Sequence, residues 1–236
     1  MELTYYGHAC FAVKINNVRV LFDPFITGNP LDAAKKIDVS KIEADYILLS
    51  HGHGDHAKDC VSIAKRTGAL VITVAELSDL LGKEVKAHGM NIGGQASFKD
   101  GKFVYGEGHF RVKCVVAQHS SNYNGIYAGN PVGFIVFAGN ESFYYAGDTG
   151  LTMDMQLIPK WAKLDFAVLP VGDNYTMGVE DALECARMIN CRKVIGVHYD
   201  TFAGLIKIDH EWAKKIFSDA GYELKLLNIG ETIKLS

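Results

Sequence analysis

No run of this chain is apolar over the ~18 residues that a membrane-spanning helix requires, so no bilayer span is expected. Cysteine is sparse and poorly arranged for crosslinking. Cys10, Cys60, Cys114, Cys185 and Cys191 form no C-x-x-C pair, and five is an odd number for a disulfide framework. They read as buried thiols in a reducing compartment. Met1-Glu2-Leu3-Thr4-Tyr5-Tyr6 lacks the basic start of a secretory leader, so a cytoplasmic location is expected. Runs of Lys and Arg are missing and the net charge is -3, which argues against a nucleic-acid partner. Proline is rare, 5 residues against 24 glycines, a balance suited to tight turns between strands. With no fixed-period repeat, low-complexity tract or Pro/Ser-rich linker, residues 1–236 read as one domain able to bury a sizeable core.

Periodicity divides the chain into short elements. Strands are expected over 3–6, 10–15 and 19–22, with Asn16-Asn17 as a hairpin turn and Asp23-Pro24 closing the group. Residues 26–36 read as a loop with one helical turn. Helices follow over 60–66, stopped by Gly68, and 75–81, stopped by Gly82; strands cover 70–73 and 85–88. The middle is strand-rich: 95–99, 103–107, 110–117, 132–138 and 142–146. Helices are then expected over 153–163, 179–189 and 209–220, and strands over 166–169, 194–197, 223–227 and 232–235. Strand-rich halves with interleaved helices suggest two sheets packed face to face with helices outside.

The densest chemistry lies in Ser50-His51-Gly52-His53-Gly54-Asp55-His56, three imidazoles and a carboxylate directly after the apolar run Tyr46-Ile47-Leu48-Leu49. Imidazole and carboxylate are the ligands that borderline divalent metals favour. An H-x-H-x-D-H string would arise by chance about once in 1000 sequences of this composition. The intervening glycines are expected to let the chain bend and aim alternate side chains inward. Three further groups each follow a strand: His119 after 111–118, Asp148 after 143–147 and His198 after 194–197. Loops after strands can converge at one sheet edge. Taken singly, a His in such a place is more often hydrogen-bonded structure than a ligand.

In order and context, His51, His53, Asp55, His56, His119, Asp148 and His198 resemble the metallo-β-lactamase superfamily pattern. The stretches Tyr6-Gly7-His8-Ala9, Asn122-Tyr123-Asn124-Gly125, Gly147-Asp148-Thr149-Gly150, Thr176-Met177-Gly178 and His198-Tyr199 resemble a narrower group. That group comprises the small metal-dependent hydrolases related to ascorbate-6-phosphate lactonase. Val179 departs from it, standing where Pro would open a helix.

The resemblance implies an α/β fold, a four-layer αββα sandwich with its site at one edge. It implies that His51, His53 and His119 hold one divalent ion, that Asp55, His56 and His198 hold a second, and that Asp148 bridges them. Zinc and manganese both suit that set, since a carboxylate bridge is harder than the thiolate of some β-lactam-cleaving relatives. Two divalent ions, two carboxylates and a hydroxide leave the cluster near +1, favouring a small anionic ester, lactone or phosphoester as substrate. Asp55 is the expected catalytic carboxylate. His8 and Asn124 are candidate substrate contacts, with Tyr123, Asp173 and Asn174 as further candidates for the pocket. Asp23 is a candidate hydrogen-bond acceptor for a ligand imidazole. His88, His109 and His210 read as structural. The alternatives are an iron-dependent sulfur oxygenase on the same fold and a non-catalytic metal-binding protein. Related proteins often self-associate, so a homo-oligomer is an expected state.

Overall fold

The computed structural model describes residues 1–202 and 204–235. Its first half builds β1 (Glu2–Gly7), β2 (Cys10–Ile15), β3 (Val18–Phe22), β4 (Tyr46–Leu48), α1 (Gly54–Ala57), α2 (Cys60–Thr67), β5 (Leu70–Val74), α3 (Ala75–Leu81) and β6 (Ala87–Met90). The strands join in sequence order into one sheet, antiparallel from β1 to β3 and parallel from β3 to β6. The second half builds β7 (Gln95–Lys99), β8 (Lys102–Val104), β9 (Phe110–Val116), β10 (Asn122–Tyr123), β11 (Ile126–Tyr127), β12 (Val132–Ala138) and β13 (Glu141–Tyr145). After these come α4 (Ile158–Trp161), β14 (Phe166–Pro170), α5 (Val179–Met188), β15 (Lys193–Val197), α6 (His210–Asp219), β16 (Glu223–Lys225) and β17 (Thr232–Lys234). The second sheet runs β16-β15-β14-β13-β12-β9-β7-β8, while β17 returns to the first sheet and pairs antiparallel with β1.

Two-residue alternation explains why the sheets stack. On β13, Phe143 and Tyr145 enter the core between the sheets, whereas Tyr144 enters a second core under the helices of the second sheet. Phe11 stacks on Phe22 with ring centroids 4.4 Å apart, and Phe143 stacks on Phe166 at 4.7 Å. Phe22 meets Phe143 edge-on at 5.8 Å, joining the two sheets. Burying a ring of this kind contributes about 1.5–3 kcal/mol. Ile63 of α2 and Leu77 of α3 are buried against the first sheet, while Ala182 of α5 and Phe217 of α6 are buried against the second. The architecture is the expected αββα sandwich.

Strand direction brings the loops together. β4 runs parallel to β3, and β1 runs with β3 through two antiparallel steps, so Gly7, Phe22 and Leu48 end at the same sheet edge. In the second sheet β13, β14 and β15 are parallel, and β9 runs with them through β12. The chain therefore leaves β9, β13 and β15 on one side as well.

Two local expectations change. Residues 153–163 are not one helix: a 3-10 segment, Met153–Leu157, precedes α4. Pro159 sits in the first turn of α4, where a missing N–H costs nothing, but it cannot continue a helix from upstream. The β10–β11 ribbon was not expected, although Asn124-Gly125 carries the hairpin signal; both residues have positive φ, 51° and 79°.

Candidate metal centre

The H-x-H-x-D-H segment leaves β4 as extended chain and turns into the four-residue α1 at Gly54. Neither glycine adopts a left-handed conformation. Gly52 is required for a different reason. A Cβ there would lie 2.8 Å from the carbonyl oxygen of Asn122 and 3.0 Å from the Ala128 methyl. The loop therefore lies close against the ribbon at this glycine.

The structure brings all seven expected groups to one edge. One cluster joins nitrogens of His51, His53 and His119; another joins Asp55, His56 and His198 and adds His8. His51 Nε2 lies 3.0 Å from His53 Nδ1. Asp148 stands between the clusters. Its Oδ2 lies 3.0 Å from His198 Nε2, 3.2 Å from His56 Nε2, 3.6 Å from His119 Nε2 and 4.0 Å from His51 Nε2. His51, His56, Asp148 and His198 are buried, while Asp55 and His119 are reached by solvent.

Hydrogen bonds behind the histidines decide which nitrogen faces inward. Asp23, wholly buried, accepts from His56 Nδ1 at 2.7 Å, from the Tyr145 hydroxyl at 2.6 Å and from the Ser50 hydroxyl at 2.5 Å. Because Ser50 gives its proton to Asp23, its oxygen accepts from His51 Nδ1 at 2.9 Å. Both imidazoles thus carry a proton on Nδ1 and turn Nε2 toward Asp148. Asp23 ends β3 with φ 40°, a left-handed conformation that Asp tolerates and that aims its carboxylate into the sheet edge.

This donor set fits a cation. His56 Nε2 and Asp148 Oδ1 are buried without a hydrogen-bond partner. A neutral His56 would turn its Nε2 lone pair to the Asp148 carboxylate, a repulsive contact unless positive charge, a cation or a second proton, lies between them. Burial lowers the pKa of His51, His53 and His119, with the positive field of neighbouring histidines adding to it, which favours the neutral form a metal needs. Burial opposes charge on His56 too, but the Asp148 and Asp23 carboxylates on either side outweigh it and raise its pKa. Asp148 is held far below the usual carboxylate range: burial works against ionisation, and the His198 and His56 imidazoles overcome it.

Beside the cluster is a cavity of 490 Å³. His53, Asp55, His119, Asp148 and His198 form its floor; Ser120, Tyr175, Phe202 and Leu205 form its walls. The wall residues went unread in the sequence. Asp173-Asn174 marked the right loop, but consecutive positive φ values of 62° and 59° carry the next residue, Tyr175, to the cavity. His8 and Asn124 are not where substrate contact would put them. His8 is wholly buried beneath Phe25 and Phe202, and Asn124 occupies the exposed turn of the ribbon; neither lines the cavity. His88 packs between Phe98 and Phe103, and His210 pairs with Asp200 at 2.6 Å, both away from the cluster.

The family described as "Beta-lactamase superfamily domain" matches residues 2–198. A "UPF0173 metal-dependent hydrolase" of Christiangramia forsetii is 48% identical over 237 residues, covering 100% of both chains. The solved structure of Igni18, a metallo hydrolase from Ignicoccus hospitalis, is similar with a TM-score of 0.87 and 33% identity over 98% of this chain and 97% of that one. The isothiocyanate hydrolase from Delia radicum gut bacteria shares the fold, with a TM-score of 0.77 at 19% identity, covering 100% of this chain and 99% of that one. The match over most of the chain, with relatives alike from end to end, assigns it to the metallo-β-lactamase superfamily, among the small metal-dependent hydrolases.

Proposed function

We propose that this hydrolase works with two divalent ions, zinc or manganese. His51, His53 and His119 would hold one, Asp55, His56 and His198 the other, and Asp148 would lie between them. The observation that carries this reading is the placement of one carboxylate oxygen within 3.0–4.0 Å of four imidazole nitrogens. Of the three donor groups, the two that share no residue, His51/His53/His119 and Asp55/His56/His198 with His8, favour it over a mononuclear oxygenase. Bound ions of this kind supply Lewis acidity and a water-derived nucleophile at neutral pH. Both sheets contribute ligands, so residues 1–236 are read as one working domain, and five free, buried thiols suit a reducing cytoplasm.

The chain's own groups then have separate tasks. Asp23 and Ser50 hold His56 and His51 in the tautomer that presents Nε2. Asp55 borders the cavity and is ionised, its low pKa reflecting the His8 hydrogen bond and nearby imidazoles, which prevail over burial. As the expected catalytic carboxylate it would hold a cation beside the cavity and help orient a nucleophilic water there. Tyr175, Phe202 and Leu205 keep water from the reacting centre and select the remote part of the substrate.

Those walls refine the expected substrate. No Lys or Arg is among the described lining residues, so positive charge would come from the ions alone. A small ester, lactone or phosphoester with its charge confined to the reacting group and an apolar remote part fits best.

Elemental analysis after dialysis should find two divalent ions per chain. A chelator should abolish turnover, and zinc or manganese should restore it. Asp55→Ala and His198→Ala should each reduce turnover at least ~100-fold, since even an outer partner of a ligand costs 10–100-fold. Full activity in either variant, or in the metal-free protein, would overturn the reading. Esters and bis-p-nitrophenyl phosphate, assayed side by side, separate carbonyl from phosphoryl chemistry.

A further inference from the structure

His8 is drawn into the second cluster, yet it lies under the cavity floor. Its Nε2 is 3.2 Å from Asp55 Oδ2 and its Nδ1 is 2.9 Å from Thr201 Oγ1. The ring is wholly buried, tilted against His198 with centroids 4.2 Å apart and met edge-on by Phe25 and Phe202. Its backbone is equally constrained. The His8 carbonyl accepts from the Tyr5 hydroxyl at 3.0 Å and from the His198 N–H at 2.9 Å, and φ is 54°. Left-handed backbone at a non-glycine residue is uncommon, and here it places the side chain against one expected ligand and the carbonyl against another.

Two proton arrangements satisfy this geometry differently. The Thr201 hydroxyl has two acceptors in reach, His8 Nδ1 at 2.9 Å and the Tyr199 carbonyl at 3.2 Å. If Thr201 donates to Tyr199, His8 must carry its proton on Nδ1, and its Nε2 lone pair would face a carboxylate oxygen. That contact is repulsive unless a cation lies between them, which would make His8 a fourth ligand. If Thr201 donates across the shorter contact, His8 carries its proton on Nε2 and donates it to Asp55. A carboxylate is an acceptor only, so this second arrangement satisfies both His8 nitrogens and Asp55 Oδ2 without a cation.

Resting on the two-ion reading above, we infer that His8 is a positioning residue: Thr201 fixes its tautomer, and it donates from Nε2 to Asp55 Oδ2. One carboxylate oxygen is thereby occupied, leaving the other for the second ion, so Asp55 is held monodentate and in one rotamer. His8 touches neither substrate nor metal in this assignment.

The test compares His8→Ala, His8→Gln and Thr201→Val, titrating each metal-free protein with zinc against a chromophoric chelator. Glutamine can donate an N–H from nearly the same position but is a poor zinc ligand. His8→Ala should weaken the second zinc 10–100-fold, the usual cost of an outer-shell partner, and leave the first within about 3-fold. His8→Gln should restore the second zinc to within about 5-fold of the parent. Thr201→Val, with no change at His8 itself, should weaken it by a smaller factor, and does so even if His8→Ala fails to fold. The inference is overturned if His8→Gln binds the second zinc as poorly as His8→Ala, the mark of a lost ligand, or if neither His8→Ala nor Thr201→Val changes it. A parent protein that takes up only one zinc overturns both this inference and the two-ion reading; two zincs with unaffected variants overturn this inference alone.

Discussion

Asp23 shows how one residue can govern two others that it supports. Its carboxylate accepts hydrogen bonds from Ser50, His56 and Tyr145 at 2.5–2.7 Å, and through Ser50 it also sets the tautomer of His51. An amide cannot do this, since half of its polar atoms are donors. In Asp23→Asn, the amide nitrogen would face either the Ser50 backbone N–H, which donates to Oδ1 at 2.7 Å, or the three donors that share Oδ2, in a wholly buried site. Such an unsatisfied group costs about 1–3 kcal/mol. Zinc affinity should fall 10–100-fold, and the urea midpoint of the metal-free protein should drop as well. Zinc titration and urea unfolding of the same preparation would check both effects; unchanged affinity would show that the histidine tautomers are set elsewhere.

At the scale of elements, the ligand loop depends on a ribbon of two-residue strands. Gly52 allows the loop to lie on β10–β11, close to the Asn122 carbonyl and the Ala128 methyl. The Ser121 hydroxyl, accepting from the Gly52 N–H at 3.2 Å, ties the same two segments. Gly52→Ala inserts a methyl group where backbone stands in the way, so the loop or ribbon must shift. Overpacking of this kind costs about 1–3 kcal/mol. We expect that loss in chemical unfolding, together with weaker zinc binding, because the displaced segment carries four of the seven groups. Gly54→Ala is the control: a Cβ there meets nothing within 4 Å and should leave both measurements almost unchanged.

At the scale of the whole molecule, every cysteine is free and buried. Burial pushes the Cys114 thiol up to about 12 and the Cys191 thiol up to about 11, and raises Cys10, Cys60 and Cys185 further still. Thiolate is the reactive form, so a disulfide-exchange reagent at pH 8 should modify none of the five in the native protein and all five after unfolding. Rapid native reaction of even one would show that a core packs less tightly than described.

Much of this protein could be read from residue order alone. Period-two alternation marked strands such as β1, β2 and β9, because each side chain's face follows from local backbone geometry. The Asp-Pro closing β3 and the glycines ending α2 and α3 are likewise local steric effects. The seven expected metal donors stood out because four crowd one short segment after β4 and the other three each follow a strand. Three matters rested on packing between distant segments. Asp148 reaches the middle of four imidazoles only because both sheets end at one edge. His8 joins Asp55 and Thr201, 47 and 193 residues away, through sheet pairing that no local pattern encodes. Tyr175, Phe202 and Leu205 become a wall because two loops lean over the same floor. Residue order specifies conformations through short-range sterics and hydrogen bonds; distances between loops follow from how the sheets stack.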